Sequence, residues 1–285
     1  MNVTLAIPCF NAGGTLAQVL HGVNQLTTPP DELLVVDDGS TDDTADTARR
    51  FGARVVQHPS NLGLAAARNT ALRQATGEIV VFVDADAVPT PELLARLSDP
   101  FGDDPYLAGI GGQLMERAGG QLPDRWRALF WRQTQGERPI AFAPFVVGGC
   151  CGLRRAAALQ VGGFSLDFRT NGEDVELSLR LRHGGFRLAY DPQARALHLR
   201  QDDLRGLLSM VYRHSRDHVR ALRTSRESAR PVVRAALRWG PVSLYSSLRR
   251  HHSPGLAALS PLCYAAALAG CTRGLIGPGP VTRGR

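Results

Sequence analysis

The first 85 residues alternate between short apolar runs and longer segments whose apolar positions recur with helical spacing. Each run is long enough for one buried strand, and each longer segment for one helix. Strands that alternate with helices build a mostly parallel sheet with helices on its faces. The pattern predicts strands over 3–7, 33–36, 54–57 and 79–83, separated by helices over 14–26, from residue 41 onward, and over 62–75.

The rest of the chain is less regular. A Gly-rich apolar run over 107–115 favours a strand, and 186–190 favours a late strand. Helical spacing predicts helices over 122–135 and 172–183. From residue 203 onward the pattern is helical and rich in arginine. The fold class predicted is α/β, with a Rossmann-like, mostly parallel sheet flanked by helices and a helical, basic appendage at the C-terminal end.

The positive charge of the chain is concentrated in its last third. Residues 1–199 hold 18 arginines against 22 acidic residues, whereas residues 200–285 hold 15 arginines against four. No lysine is present, which excludes mechanisms that need a Schiff-base or phosphate-loop lysine. Eight arginines recur every three or four residues, which predicts that most of them lie along one stripe. They are Arg213, Arg216, Arg220, Arg223, Arg226, Arg230, Arg234 and Arg238.

Such a density of arginine favours an anionic partner, either phospholipid or nucleic acid. Nucleic acid is not expected, because the arginines lack interleaved aromatic residues and a recognisable binding module. An apolar segment over 255–271, interrupted by Ser260-Pro261, is shorter than the ~20 residues that a spanning helix needs. Interfacial membrane contact, a packed helix and a true span therefore stay open for this segment.

The cysteines and the N-terminal residues favour a cytoplasmic protein. The five cysteines show no metal-binding spacing, and their odd number argues against a disulfide framework. Reduced thiols in the cytoplasm are the simplest interpretation. Residues 1–7 lack the basic region and the long apolar core of a signal peptide, so they are predicted to form the first strand.

Polar residues follow the predicted parallel strands, at 8–11, 37–40 and 84–86. Ligands of open α/β sheets bind beyond the carboxyl ends of the strands, so these residues are expected along one rim. The carboxylates of Asp84 and Asp86 can hold Mg²⁺ or Mn²⁺ through oxygen. A solvated loop is the alternative. Asp38 can accept hydrogen bonds from a ribose or a base, or else belong to an ordinary turn and helix cap.

Four further residues are candidates for chemistry. Arg68, on a helix of small residues, can pair with a phosphate, or it can be a surface arginine. Glu173 and Asp174 open a helix, where the helix dipole keeps a carboxylate ionised and able to accept a proton from a hydroxyl. Simple charge complementarity with the helix dipole is the alternative. His198 follows a strand and is a candidate metal or phosphate ligand, or an ordinary histidine at the edge of the core.

These segments resemble one known family in order and spacing. They are Ile7-Pro8-Cys9-Phe10-Asn11, Val35-Val36-Asp37-Asp38-Gly39-Ser40-Thr41-Asp42, Asn61-Leu62-Gly63 with Arg68-Asn69, Gly77-Glu78, Val83-Asp84-Ala85-Asp86 and Gly172-Glu173-Asp174. Together they are similar to the family 2 glycosyltransferases with the GT-A fold, over residues 1 to about 200. Each motif alone is weak, whereas six in register are specific.

The resemblance implies inverting transfer of a sugar from a UDP- or GDP-linked nucleoside-diphosphate sugar to a hydroxyl acceptor, with Mg²⁺ or Mn²⁺ as cofactor. The implied donor-binding residues are Pro8, Phe10, Asn11, Asp38, Arg68, Asp84 and Glu173. Of these, Asp38 lines the nucleoside pocket, Arg68 approaches the diphosphate, and Asp84 faces the ribose or sugar. Asp174 is the implied general base. Asp86 and His198 are the implied metal ligands.

The resemblance also divides the chain. Residues 1–200 are the glycosyltransferase domain, with a nucleotide-binding half over 1–100 and an acceptor-binding half over 101–200. Residues 201–285 are the arginine-rich helical region. The Gln-x-x-Arg-Trp motif of processive synthases is absent, and Tyr212-Arg213-His214-Ser215-Arg216 stands roughly in its place. This departure favours transfer of a single sugar.

The expected acceptor is a lipid-linked or polysaccharide precursor of the cell envelope, with the enzyme on the anionic inner face of the plasma membrane. A polyprenyl-phosphate acceptor is one alternative. Nucleotidyl transfer is another, but it would need a basic residue after the first strand, which 8–14 lacks. A non-catalytic binding module would be expected to have damaged acidic motifs, and here they are intact.

Overall fold

A computed structural model describes residues 1–117 and 120–277 of the chain. These residues form two compact units. Unit 1 contains Met1–Met115 and Gln133–Leu199, and unit 2 contains Glu116–Arg132 and the chain from Arg200 onward. Residues 116–132, which the sequence analysis places in the acceptor half of the first domain, thus belong to unit 2.

The elements alternate along the first half of the chain. The strands are β1 (Val3–Cys9), β2 (Glu32–Asp37), β3 (Arg54–Gln57), β4 (Ile79–Val83), β5 (Ala87–Pro89), β6 (Leu107–Glu116), β7 (Cys150–Arg154) and β8 (Arg187–His198). The helices are α1 (Leu16–Val23), α2 (Thr44–Arg50), α3 (Leu64–Gln74), α4 (Leu93–Ser98), α5 (Leu122–Phe130), α6 (Arg155–Gln160), α7 (Glu173–His183), α8 (Leu204–Thr224), α9 (Arg230–Arg249) and α10 (Pro254–Ile276).

The eight strands form one mixed sheet in the order β3-β2-β1-β4-β7-β6-β8-β5. The four strands β1 to β4 pair in parallel, as the alternating pattern predicts. Strand β7 pairs antiparallel with β4 and β6, and β5 pairs antiparallel with β8. The predicted α/β class is confirmed, while the parallel arrangement is limited to one half. In the other half, the chain passes through β5, α4, β6 and α5 between β4 and β7, so no single crossover helix joins these two neighbouring strands.

Strand β1 shows why this sequence builds a two-faced sheet. Successive side chains of a strand point to opposite faces. Leu5 and Ile7 accordingly pack in the cluster that includes Leu16 of α1, whereas Ala6 packs in the cluster that includes Leu72 of α3. All seven residues of β1 are buried. Burial of each large aliphatic side chain contributes about 1.5–3 kcal/mol to folding stability. Because the apolar side chains of the sheet are buried against helices on both faces, these helices stabilise the sheet.

Unit 2 contains α5 and α8 to α10 around an apolar core. Trp126 of α5 is completely buried and packs edge-on against Trp239 of α9, with ring centroids 5.0 Å apart. Leu207 and Met210 of α8 and Leu256 of α10 belong to the same core. The predicted helical appendage is therefore present, and α5 is part of its packing.

A buried arginine joins the two chain segments of unit 2. Arg127 is 1% exposed, and its Nε lies 2.9 Å from a carboxylate oxygen of Glu116. Its Nη1 contacts the carboxylate of Asp202 and lies 3.3 Å from Asp124. The backbone N–H of Asp202 donates to Asp124. Because paired charges compensate one another's burial, this cluster fixes residues 116–132 to the chain after Arg200.

The single arginine stripe predicted over 213–238 is wrong. Helix α8 ends at Thr224 and α9 begins at Arg230, with Arg226 between them at a φ of 58°. Several members are used within unit 2. Arg216 forms an ion pair with Asp217 at 2.8 Å, and Arg223 Nη1 donates to the carbonyl of Gly274 at 2.7 Å. Spacing alone cannot show where one helix ends and the next begins when both carry arginine.

The expectation that the segment over 255–271 is too short for a spanning helix is also wrong, because α10 continues through Pro261 over 23 residues. Among the described helices, α10 alone is long and apolar enough to cross a membrane by length and composition. In its most apolar 18-residue window 44% of the residues are buried within the protein. Its buried side includes Leu256, Leu259 and Cys263.

All five cysteines are free thiols and buried. They are Cys9, Cys150, Cys151, Cys263 and Cys271. Burial raises the pKa of each of them, because the thiolate would lose its hydration.

Candidate functional site

Asn11 fixes the loop after β1 to the loop after β2. Its φ of 49° lies in the left-handed region, which asparagine tolerates better than most residues. Asn11 Oδ1 accepts from the N–H of Thr41 at 2.9 Å, and the N–H of Asn11 donates to Ser40 Oγ at 2.8 Å. The two loops therefore hold each other at the carboxyl ends of parallel strands, where the sequence analysis expects the site.

Asp38 organises the loop that precedes α3. Its buried carboxylate accepts from the N–H of Leu62 at 2.9 Å and from the N–H of Gly63 at 2.7 Å. His58 Nδ1 lies 2.6 Å from Asp38 Oδ1, and His58 Nε2 lies 2.9 Å from Thr70 Oγ1. Three of the carboxylate's roughly four acceptor positions are thus used inside the protein. His58 is not predicted from the sequence, because a single histidine after a strand has no partner that spacing could reveal.

A cavity of about 230 Å³ lies beside these loops. Its lining includes the predicted donor residues Pro8, Phe10 and Asp38, and also Arg169, which the sequence analysis missed. Phe10 is 49% exposed, an unusual state for a phenylalanine beside a cavity. The volume is below the ~300 Å³ at which small-molecule sites typically begin. It suits one part of an extended ligand, such as a base with its ribose.

Arg68 lies in the protein interior between two carboxylates. Its side chain is 2% exposed, with Nη2 2.9 Å from Asp84 Oδ1 and Nη1 in contact with Glu173 Oε1. The rings of Phe82 and Phe164 flank the guanidinium, with centroids 6.0 and 5.7 Å from Cζ. The predicted contact between Arg68 and a diphosphate is not favoured by this arrangement, because both Nη groups already face carboxylates.

The charges around Arg68 do not balance. Burial raises the pKa of Glu173, and the nearby Arg68 offsets this shift only in part. Burial also raises the pKa of Asp84, again opposed by Arg68 and strengthened by the like charge of Asp86. One guanidinium serves two carboxylates, so the cluster retains an excess of negative charge that favours a proton or a further cation.

Asp174 is positioned by two backbone donors at the start of α7. The helix begins directly after Gly172, whose φ is 84°. Asp174 Oδ2 accepts from the N–H of Gly148 at 2.9 Å, and Oδ1 accepts from the N–H of Val175 at 2.8 Å. Asp174 is half-buried, while its neighbour Glu173 is 2% exposed. Each oxygen of Asp174 keeps a second lone pair, so of the two acidic residues Asp174 is the one that a ligand can reach.

Two glycines bring the chain close to both acidic groups. A Cβ on Gly148 would lie 2.3 Å from Arg68 Nη1, and a Cβ on Gly149 would lie 2.2 Å from Asp84 Oδ2. The carbonyl of Gly149 also accepts from the N–H of Asp84 at 3.1 Å. Only glycine permits this approach without displacing the ion pair. The segment therefore connects Asp84, Arg68 and Asp174 into one arrangement.

Asp86 and His198 meet through the register of two strands. His198, the last residue of β8, pairs with Ala87 of β5, and Asp86 directly precedes β5. His198 Nε2 lies 3.4 Å from Asp86 Oδ2, and the carbonyl of Asp86 accepts from the N–H of Leu199 at 2.7 Å. The two predicted metal ligands are thus adjacent in space. Within residues 1–117 and 120–277, no three His, Cys, Asp or Glu side chains converge on a metal position.

Comparisons with known proteins identify the family of this chain. The model of the family described as "Glycosyl transferase family 2" matches residues 4–162. The pre-mycofactocin glycosyltransferase of Mycobacterium tuberculosis is 32% identical over 73% of this chain and 45% of its own length. The UDP-forming cellulose synthase catalytic subunit of Pseudomonas fluorescens is 27% identical over 92% of this chain and 37% of its own length. The chain therefore spans less than half the length of these two relatives.

Among solved structures, the fold is similar to that of the mannosyltransferase PcManGT from Pyrobaculum calidifontis, in complex with GDP-Man and Mn²⁺. The TM-score is 0.67, with 22% identity, over 96% of this chain and 87% of that one. The GT-A fold expected from the motifs is confirmed. The chain belongs to glycosyl transferase family 2, and its glycosyltransferase class is supported by named relatives.

Proposed function

We propose that this protein transfers a single sugar, with inversion, from a UDP- or GDP-linked donor to a hydroxyl acceptor. The observation that carries the proposal is the position of Asp174. Its reachable carboxylate is fixed by the N–H of Gly148, and the next residue, Gly149, contacts Asp84. A proton acceptor and the acidic cluster are thereby held on the same short segment, as a displacement at a sugar carbon requires.

The nucleoside of the donor is proposed to enter the cavity beside β1. Phe10 presents an exposed ring on which a base can stack, and Pro8 supplies a rigid apolar wall. Asn11 and Asp38 shape the cavity by holding its loops rather than by lying free in it. GDP-Man is bound to PcManGT, and UDP appears in the name of the cellulose synthase subunit. Both bases are therefore candidates for this chain.

We assign the contact with the donor's diphosphate to Arg169. Arg169 is exposed and lines the cavity, whereas Arg68 is buried. The carbonyl of Arg169 accepts from the N–H of Leu64 at 2.9 Å, which fixes its backbone against the first turn of α3. A guanidinium so placed can pair bidentately with phosphate oxygens. Arg68 is then the internal cation that holds Asp84 and Glu173 in place.

The donor set fits the divalent cation that the family implies. Asp86 offers a carboxylate, His198 offers an imidazole 3.4 Å away, and the cluster around Asp84 retains negative charge. Mg²⁺ and Mn²⁺ are commonly bound by one or two carboxylates and complete their shell with phosphate oxygens and water. Two protein ligands therefore suffice when a diphosphate is present. A bound cation would supply positive charge at the departing phosphate oxygens.

The proposed chemistry rests on Asp174. Its carboxylate accepts the proton of the acceptor hydroxyl while that oxygen attacks the anomeric carbon. The C–O bond to the diphosphate breaks on the opposite face, so the configuration inverts and the nucleoside diphosphate leaves. The backbone donors at Gly148 and Val175 keep the carboxylate oriented without extra reorganisation. A hydroxyl of a cell-envelope precursor is the acceptor that we favour.

A screen of UDP- and GDP-linked sugars by thermal shift tests the proposal. We expect at least one donor to stabilise the protein in Mn²⁺ or Mg²⁺ but not in EDTA, and to release its nucleoside diphosphate slowly. A ligand at a hundredfold its Kd stabilises by about 2.7 kcal/mol, which is readily measured. The Asp86→Ala variant should lose the metal-dependent part of the stabilisation by the donor. Asp46→Ala, on the exposed side of α2, should behave as wild type. No response to any donor would refute the proposed function.

Arg169→Gln should weaken binding of UDP or GDP about tenfold or more, because a charge-assisted pair with phosphate is lost. Binding of uridine or guanosine, which lack phosphate, should change little. Titration calorimetry of both ligand types measures the difference, with Arg49→Gln on α2 as the control. Equal losses for nucleoside and nucleoside diphosphate would assign Arg169 to the base instead.

A further inference from the structure

Helix α9 buries its small residues and, apart from the half-buried Trp239, exposes most of its large apolar ones. Its buried residues are Gly240, Ser243 and Ser247, which lie three or four positions apart and so share one face. Leu237 is 50% exposed, Tyr245 62% and Leu248 50%. A helix at the surface of a water-soluble protein normally shows the opposite pattern, with large apolar residues inside.

The buried face of α9 packs closely against α10. A Cβ on Gly240 would lie 2.5 Å from the ring of Tyr264, and Ser247 Oγ lies 3.4 Å from Ser260 Oγ. The hydroxyls of Ser243 and Ser247 donate to carbonyls of their own helix at 2.9 and 2.8 Å. Small residues that let two helix backbones come close are typical of helix pairs in lipid, where large apolar residues face outward.

The exposed apolar residues of α9 form one surface. Leu237, Leu244 and Leu248 are spaced by seven and four residues, so they share a side of the helix, and Tyr245 lies beside them. We call this surface the α9 apolar face. It is formed by Leu237, Leu244, Tyr245 and Leu248, with Val242 at its margin.

Exposed arginines lie at both ends of the α9 apolar face. Arg230 and Arg234 precede Leu237, Arg238 follows it directly, and Arg249 and Arg250 lie beyond Leu248. Residues 228–277 contain no Asp or Glu. The ten residues 239–248 between Arg238 and Arg249 extend about 15 Å as a helix, only half of the ~30 Å hydrocarbon layer of a bilayer. The helix can therefore lie in a membrane interface but cannot cross it without burying arginine.

We propose that α9 binds the surface of an anionic phospholipid bilayer, with its apolar face at the boundary of the acyl chains and its arginines at the lipid phosphates. Apolar insertion and electrostatic attraction add to each other in such helices. A second copy of the chain is a poorer partner for this face, because two acid-free arginine clusters would meet and repel. The proposal rests on unit 2 and is independent of the donor site.

From the sequence, the arginine stripe is a candidate for contact with anionic phospholipid, and membrane contact, packing and spanning stay open for residues 255–271. The structure favours α9, which carries the last three arginines of the stripe. Parts of the stripe are used internally, and α10 contributes Leu256, Leu259 and Cys263 to the core of unit 2. Helix α9 has both exposed apolar residues and exposed arginines, among them Arg230, Arg234 and Arg238.

Sedimentation of the full chain with vesicles tests the proposal. We expect binding to phosphatidylcholine vesicles only when phosphatidylglycerol is included, and weakening of that binding by salt. Leu237→Ser with Leu248→Ser should reduce partitioning at least about tenfold, since apolar area no longer enters the interface. Arg234→Glu with Arg238→Glu should reduce it about 25-fold or more, since each arginine contributes about fivefold. Leu166→Ser and Arg73→Glu, exposed in unit 1, are the matched controls and should bind as wild type.

Three results would overturn the proposal. The first is equal binding to vesicles with and without phosphatidylglycerol. The second is a wild-type dimer that becomes monomeric when Leu237 and Leu248 are changed, because a second copy would then cover the face. The third is resistance of the bound protein to alkaline carbonate extraction, because α10 would then span the bilayer. Circular dichroism of each variant verifies folding, because substitutions at exposed positions should leave the fold intact.

Discussion

Asp174→Asn is expected to lower the rate of sugar transfer by about 10²–10⁴-fold, the usual contribution of a positioned general base. An amide of the same shape can keep the hydrogen bond from Gly148 through its carbonyl oxygen, but it cannot accept the proton of the acceptor. Donor affinity should change little, because the cavity beside β1 does not include Asp174. Transfer rates with saturating donor and acceptor, together with calorimetric titration of the nucleoside diphosphate, measure the two effects separately.

The matched control for this experiment is Asp167→Asn, an exposed acidic residue a few positions earlier in the chain. It should turn over as wild type. Transfer by the Asp174 variant at the wild-type rate would remove this residue from the role of base. Loss of donor binding together with rate would instead indicate that Asp174 shapes the donor site.

Arg68→Ala is expected to destabilise the fold by about 3–5 kcal/mol, the usual cost of removing one partner from a buried ion pair. The carboxylates of Asp84 and Glu173 would be left without their cation, and Phe82 and Phe164 would lose the guanidinium between them. Urea unfolding without metal or nucleotide measures the change. Arg73→Ala, on the same helix but exposed, should change the free energy of unfolding by no more than about 0.5 kcal/mol.

A double substitution shows whether the ion pair is the cause. In Arg68→Ala with Glu173→Gln, one of the stranded charges is also removed, so part of the lost stability should return. If Arg68→Ala is as stable as the Arg73 control and instead weakens nucleoside diphosphate binding, then Arg68 contacts the diphosphate, as the motif alone suggests. Arg169 would in that case lose the role assigned to it.

The periodicity of the sequence was sufficient for the parallel half of the sheet. Each of β1 to β4 is built on a short apolar run, and one helix separates each of these strands from the next, so local pattern determines these elements. The antiparallel half of the sheet is harder to predict from the sequence. Strand β7 is the segment Cys150–Arg154, whose glycine and cysteines give little apolar signal, and its partners β4 and β6 are far away in the sequence. Register between distant strands is set by tertiary packing.

The candidate site shows a similar division. Strand ends place Asp38, Asp84 and Asp86 on one rim, and this follows from the order of the strands alone. The residues that these carboxylates contact do not follow from that order. Arg68 turns inward because two carboxylates from distant segments meet there, and Arg169 reaches the cavity because its loop packs against Gly63. A sequence identifies a charged residue, but the charge that it faces is determined by the fold.

The five buried cysteines make the chain well suited to site-specific labelling. Thiol reagents attack the thiolate, and burial suppresses the thiolate form of every native cysteine. A cysteine introduced at an exposed position would therefore react selectively with a maleimide dye or a spin label, with all native residues retained. A label on α9 would report how deeply that helix enters lipid. A label on the loop that carries Arg169 would report whether nucleotide covers that loop.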